Sequence, residues 1–234
     1  DDPNHRYLLE YDNNPTSDVI LSAPLSAEEV AENEPGFRYR ELDSGSPTTL
    51  KNFIKWGLKA YPAQHTLLIL SGHSWGLQGH MQDFFVNGQE LQDSTMVKNY
   101  ELRRVMEEVY RELNHAKLDA LFIDACTSGI FEIAYEVRNQ FDYFVASSLE
   151  TPYFGLPYAD IFNGFVDKVN ASSTATINNN AFTEKYLLSP IIEKFVRSHA
   201  KGGAQVAREG DMMATAAFAL RLDQLNAVGG AMKN

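Results

Sequence analysis

Two short, unbroken apolar runs constrain this chain more than any other feature. Thr66–Ser71 reads TLLILS and Leu118–Ala125 reads LDALFIDA. Each has the length of a strand, and neither alternates apolar with polar residues, which is the pattern of a strand buried on both faces. Between them Leu102, Val105, Met106, Val109 and Leu113 recur at helical spacing. After Cys126 a second helix is expected, with Ile130, Ile133, Ala134, Val137 and Phe141 on one face, and Tyr143–Ser148 reads as a third strand. Strand and helix thus alternate, and the fold class follows: α/β, a mostly parallel central sheet with helices on both faces.

The flanks are less regular. Tyr7–Tyr11 and Phe37–Leu42 are expected strands, and Pro47 opens a helix whose apolar face is Leu50, Phe53, Ile54 and Leu58 before Tyr61-Pro62 ends it. His73–Gly88 is polar and Gly-containing, expected to be irregular or a hairpin. Ala171–Asn180, ASSTATINNN, reads as an exposed loop, and beyond Ser189 the pattern is weakly helical. No linker compels a second domain in residues 1–234, which are read as one domain, incomplete at either end.

Composition removes whole classes of function. Twenty Lys and Arg against 31 Asp and Glu give a net charge of −11. Such a chain has little with which to neutralise phosphates, so nucleic acid is not an expected partner. No apolar run approaches the roughly 18 residues of a spanning helix. The single cysteine, Cys126, excludes an internal disulfide and a Cys-rich zinc site.

In open parallel sheets, sites form at the carboxyl ends of strands. Here these ends are Ser71–Gly76, Asp124–Ser128 and Ser147–Thr151, and they offer two nucleophiles. Gly72-His73-Ser74-Trp75-Gly76 is a literal G-x-S-x-G after a strand, the elbow that projects a serine in α/β-hydrolases. It needs a later histidine; His80 is too close and only His199 is placed late enough. Cys126 ends the second buried run and precedes T-S-G and a helix, whose first amides would favour a thiolate. It needs a histidine to protonate a leaving amine. His73 stands 53 residues upstream, near the spacing of about 50 found in caspases. Asp124, two residues before Cys126, reads without further information as a cap for the following helix.

Several segments in order resemble the clostripain-type cysteine peptidases, whose fold is caspase-like. They are ELDSGSPTTL from Glu41 with Phe53-Ile54-Lys55-Trp56, and Tyr61-Pro62-Ala63 with Leu67–Leu70 and His73. The series continues with Leu118-Asp119, then Phe122 to Cys126, Gly129, Glu132 and Ala134-Tyr135-Glu136. Ser147 to Pro152, Gly155 and Pro157-Tyr158 complete it. The resemblance implies a caspase-like sandwich and an endopeptidase that cleaves after Arg or Lys with a His73–Cys126 dyad. It implies Asp124 as the acid of the specificity pocket, with Ser147, Ser148, Glu150 and Thr151 lining it, and the amides of Ser74 and Cys126 as the oxyanion hole. Two other readings stand beside it: a serine hydrolase using Ser74, and a catalytically silent caspase-like domain that binds basic peptides.

No organic cofactor is implied. The resemblance allows calcium stimulation, for which Asp83, Glu90 and Asp93 are the available carboxylates, although they also read as a solvated acidic surface. It also allows self-cleavage, for which Lys98, Lys168 and Lys185 are candidates. The expected partners are peptides or proteins bearing basic residues. With a chain that starts at Asp1 and not at Met, it suggests an exported bacterial protein, secreted or in the cell envelope or periplasm.

Overall fold

The computed structural model describes residues 7–11, 20–24, 43–86, 89–152, 155–177, 180–203, 216–226 and 228. In chain order the first elements are β1 (Tyr7–Tyr11), β2 (Ile20–Pro24), α1 (Pro47–Ala60), β3 (Leu67–Ser71), β4 (His80–Val86) and β5 (Gln89–Val97). There follow α2 (Asn99–Glu112), β6 (Leu118–Asp124), α3 (Phe131–Val137) and β7 (Phe141–Ser147). The last are α4 (Tyr158–Asn170), α5 (Thr174–Ile177), α6 (Asn180–Thr183), α7 (Ser189–Ser198) and β8 (Ala217–Arg221). The chain divides into two units, residues 1–63 with 82–97 and residues 64–81 with 98–234.

In the first unit β1 and β2 pair antiparallel, Tyr7 opposite Pro24. Pro47 sits in the first turn of α1, where its fixed φ suits the helix and its missing N–H is not needed. The helix buries Leu50 and Ile54 and ends at Tyr61, whose amide donates to the Gly57 carbonyl. Asp83 accepts from the amide and hydroxyl of Ser44 at 2.8 and 3.0 Å, so this carboxylate is committed to holding the turn before α1. The stretch after His73 resolves into a short turn at Gly76–Gln78 and the two-stranded β4–β5 sheet. The expected strand Phe37–Leu42 lies outside the described residues, as does the side chain of Glu90.

The second unit is the α/β body. Its sheet has the order β3-β6-β7-β8; the first three strands are parallel and β8 runs antiparallel at the edge. Ala120, Phe122, Tyr143 and Val145 on one face pack with Leu156, with Ile161 of α4, and with Leu187, Leu188, Ile191 and Phe195 on and before α7. The other face presents Leu121, Ile123, Phe144 and Ala146, all fully buried, as are the apolar stripes of α2 and α3. Each Leu, Ile, Val, Phe or Met among them contributes about 1.5–3 kcal/mol.

Three expectations need correction. Phe141 is not on the second helix: α3 stops at Val137 and Phe141 begins β7. Residues 171–180 are not wholly loop, because Ser173 caps the turn of α5 through its hydroxyl. The chain beyond α7 supplies a strand, β8, whose alanines stand against β7 in place of the usual branched residues.

Candidate active site

The site is organised by the register of β3 on β6. Ser71 pairs with Asp124, and the Gly72 amide donates to the Asp124 carbonyl at 3.4 Å. His73 and Cys126 each stand two residues beyond this pair, in the turns that leave the ends of two adjacent parallel strands. His73 is exposed and Cys126 half-buried. No helix begins at Cys126: α3 starts only at Phe131, so the expected helix-end amides are not at the sulfur. Instead the Thr151 amide donates to Cys126 Sγ at 3.4 Å.

The turn after Cys126 is laced to the end of β7. Thr127 donates its amide to the Leu149 carbonyl at 3.0 Å, Gly129 to the Ser147 carbonyl at 2.7 Å, and the Ser148 hydroxyl to the Gly129 carbonyl at 3.0 Å. Thr127 takes φ 50°, a left-handed conformation rare for a β-branched residue, and this lacing holds it there. At Gly129 a Cβ would lie 2.7 Å from the Ser147 carbonyl carbon, so only glycine permits the approach.

Asp124 is buried and does not cap a helix. Its Oδ2 accepts from the Tyr158 hydroxyl at 2.5 Å, while Oδ1 is buried with no hydrogen-bond partner. Burial pushes the carboxyl above the usual range, opposed by the Tyr158 hydroxyl, the Leu156 amide and His199. Burial and Asp124 push Tyr158 upward as well, keeping the phenol a donor. Gly155, at φ 55°, brings its backbone so close that a Cβ would sit 2.8 Å from Asp124 Oδ2. The buried His199 donates from Nε2 to the Gly155 carbonyl at 2.9 Å, fixing that turn.

Asp124, Ser147 and Thr151 line one cavity of about 10 Å³, closed by Leu156, Ile191 and Phe195. That is room for about one water-sized group. Thr151 Oγ1, like Asp124 Oδ1, is buried there without a partner. Ser147 exchanges hydrogen bonds with Leu149 through its hydroxyl. Ser148 and Glu150 are exposed and do not line this cavity. Ser74 is buried and does not meet His199; its partners are His80 and Ser128, so the serine-elbow arrangement is not formed. Sequence reasoning uses Tyr158 and Gly155 only as marks of resemblance and does not foresee their grip on Asp124.

Among the described residues no helix is long and apolar enough to cross a membrane, and no group of three His, Cys, Asp or Glu could hold a metal ion.

The chain belongs to the clostripain family, whose model matches residues 8–200. It is similar in fold to a secreted C11 cysteine protease from Bacteroides thetaiotaomicron solved with an irreversible peptide inhibitor. That match has TM-score 0.60 and 17% identity and covers 96% of this chain and 54% of the other. A second structure of a secreted C11 protease from that organism, "iotapain", matches with TM-score 0.60 and 13% identity over 97% of this chain and 54% of its own. An inactive zymogen C11 protease from Parabacteroides distasonis matches with TM-score 0.57 and 20% identity over 96% of this chain and 49% of its own. The chain therefore spans about half the length of these structures. No match is found among the curated proteins.

Proposed function

We propose that this chain is the catalytic part of a cysteine endopeptidase that hydrolyses peptide bonds after Arg or Lys. The observation that carries the reading is the shared register at the ends of β3 and β6. It pairs Ser71 with the buried carboxylate Asp124, and His73 and Cys126 each follow two residues beyond that pair, which supports their acting together.

His73 takes the Cys126 proton, and the sulfur attacks the scissile carbonyl carbon. The carbonyl electron pair moves to oxygen, where the Ser74 and Cys126 amides receive it. Those amides suit the role, because the bonds that close the two turns use the amides of Trp75, Gly76, Thr127 and Gly129 instead. His73 then protonates the leaving amine as the C–N bond breaks, giving a thioester. Water, losing a proton to His73, cleaves the thioester and restores the thiol. Neither step calls for a cofactor.

The basic side chain of the substrate is drawn to Asp124 Oδ1, with Thr151 Oγ1 as a second acceptor. An arriving cation favours the ionised form that burial disfavours. Its entry parts Thr151 and Leu156, because the present cavity is far smaller than a Lys or Arg side chain.

Export fits the relative described as secreted. Self-processing fits the relative described as a zymogen. Of the three lysines, Lys98 is the best processing site: it has extended backbone, φ −72° and ψ 155°, whereas Lys168 and Lys185 lie inside helical turns.

The test is hydrolysis of matched fluorogenic peptides ending in Arg, Lys, Asp and Leu by the chain and by Cys126→Ala. Turnover confined to Arg and Lys and abolished in the variant is the expected result. Cleavage that survives in Cys126→Ala, or binding of basic peptides without turnover, overturns the reading.

A further inference from the structure

The hydroxyl of Ser74, the serine of the G-x-S-x-G motif, takes no part in the chemistry proposed above, yet it is one of the most heavily hydrogen-bonded side-chain groups of the site. Ser74 is 6% exposed. Its Oγ lies 3.0 Å from His80 Nδ1, 3.0 Å from Ser128 Oγ, 3.2 Å from the Gly76 amide and 3.3 Å from the Gly79 carbonyl. His80, 1% exposed, is brought there by an antiparallel bridge between residues 74 and 80. A histidine and serine so arranged suggest a general base and its nucleophile, but both are sealed from solvent and the hydroxyl has no free direction.

The proton positions can be assigned along the chain of contacts. Asn99 donates from Nδ2 to the carbonyls of Gly76 at 3.3 Å and Leu77 at 3.1 Å, which leaves its Oδ1 as an acceptor. Asn99 also meets the His80 ring. His80 Nδ1 faces Ser74, so this contact is at Nε2. Nε2 and Oδ1 are both buried with no hydrogen bond to any other group, which leaves them for each other. Nε2 therefore carries the proton and Nδ1 accepts. The Ser74 hydroxyl must then donate to Nδ1, and its lone pairs receive the Ser128 hydroxyl and the Gly76 amide. Burial lowers His80 to about 4, in keeping with a neutral ring. The direction runs one way, from Ser128 through Ser74 and His80 to Asn99.

Two members of this chain, Ser74 and Ser128, belong to the two catalytic loops. Ser74 follows His73 directly, and its own amide is the oxyanion donor of the proposed mechanism. Ser128 belongs to the Cys126 turn; with its one proton given to Ser74, its Oγ merely approaches the Cys126 carbonyl at 3.1 Å. We propose that His80 is a positioning residue, which through Ser74 and Ser128 locks the His73 loop against the Cys126 turn and aims the Ser74 amide at the oxyanion. This inference rests on the His73–Cys126 reading. It assigns the motif serine a structural bond in place of a nucleophilic one. A buried polar network of this kind specifies one geometry only while every member is satisfied.

The experiment is a mutant cycle on the chain as it stands, read by peptide hydrolysis and by iodoacetamide alkylation of Cys126. Alkylation needs the thiol but no oxyanion hole. Full loss of one oxyanion donor lowers rate by about 10²–10³, so misaiming it in His80→Leu should lower kcat about ten- to a hundredfold. KM and the alkylation rate should stay within about twofold. His80→Asn, whose Oδ1 can replace Nδ1 as acceptor, should recover most of kcat. Ser74→Ala should cost a similar factor, and the double variant no more than the worse single one, because both break the same chain. If His80→Leu does not fold, Ser128→Ala with Ser74→Ala closes an equivalent cycle. Wild-type kcat in His80→Leu, losses that multiply, or alkylation falling in step with kcat each overturn the proposal. Absence of turnover in the unaltered chain instead overturns the peptidase reading on which it rests.

Discussion

The hydroxyl of Tyr158, outside the small cavity that Asp124 lines, donates to Oδ2 of Asp124 at 2.5 Å. Half of this carboxylate is therefore satisfied by the protein and half is held open. The ionised form is disfavoured on balance, since burial outweighs the phenol, the Leu156 amide and His199. A folded-state pKa above the unfolded value means that ionisation costs stability. The penalty is absent at low pH and grows as pH rises from the unfolded pKa through the folded one. Asp124→Asn should accordingly raise the melting temperature at pH 7, with the gain vanishing below the ordinary carboxylate range. It should also cut kcat/KM for Arg and Lys peptides by about a hundredfold or more, because a buried cation would lose its partner. Thermal unfolding across pH, beside peptide kinetics, checks both; a variant less stable than the parent at pH 7 contradicts the balance described.

Tyr158→Phe tests the other half. Removing the donor leaves Oδ2 buried and unpaired, which costs about 1–3 kcal/mol. The charged form loses a stabilising bond, so the Asp124 pKa rises further. The acid limb of kcat/KM against pH for Arg and Lys peptides should move to higher pH, while kcat at alkaline pH changes little. A profile that stays in place shows that the phenol does not control this carboxylate.

The core of this arrangement is legible in the sequence because it is local. TLLILS and LDALFIDA are continuous apolar runs, and the residues that follow such runs fall at strand ends whatever the detail. His73, Asp124 and Cys126 come from that rule. Tyr158 does not: it reaches Asp124 across 34 residues by the return of the chain into α4, and no spacing records that. His80 is concealed by the opposite effect, since closeness in sequence to Ser74 hides the bridge that folds one residue onto the other. The strand β8 escapes notice because Ala217 and Ala219 have little strand propensity, and pairing with β7 overrides it. The end of α3 at Val137 is likewise set by the sheet, which claims Phe141 for β7.

Gly129 should be intolerant of substitution for a reason separate from catalysis. A Cβ there would meet the Ser147 carbonyl carbon at 2.7 Å and the Ser148 nitrogen at 2.8 Å, both backbone and unable to swing aside. Gly129→Ala must separate the Cys126 turn from the end of β7, breaking the 2.7 Å bond from the Gly129 amide to the Ser147 carbonyl. A loss of about 1–3 kcal/mol is expected from such overpacking. Peptide turnover should fall further than stability alone explains, because the displaced turn carries Cys126, the proposed nucleophile. Denaturant unfolding and kinetics on the folded fraction separate the two effects, and a variant with parental turnover per folded molecule refutes the second.

His80 gives the chain a stability slope of its own. Its folded-state pKa of about 4, set chiefly by burial, lies below the ordinary histidine value of 6.5. Between those values the unfolded chain binds a proton that the folded chain refuses, so stability falls as pH drops from 6.5 towards 4 and is fully present above 6.5. The size follows from the shift, up to about 3 kcal/mol over the window. Carboxylates titrate at its lower end, and Asp124 contributes with the opposite sign, so the parent curve alone does not isolate the histidine. The difference between the parent and His80→Asn does, since asparagine keeps an acceptor for Ser74 and has no proton to gain. Urea unfolding at pH 4.5, 5.5, 6.5 and 7.5 should show the parent losing stability relative to the variant as pH falls, with the gap constant between 6.5 and 7.5. A gap that stays constant over the whole range would mean that His80 titrates normally and is not sealed between Ser74 and Asn99.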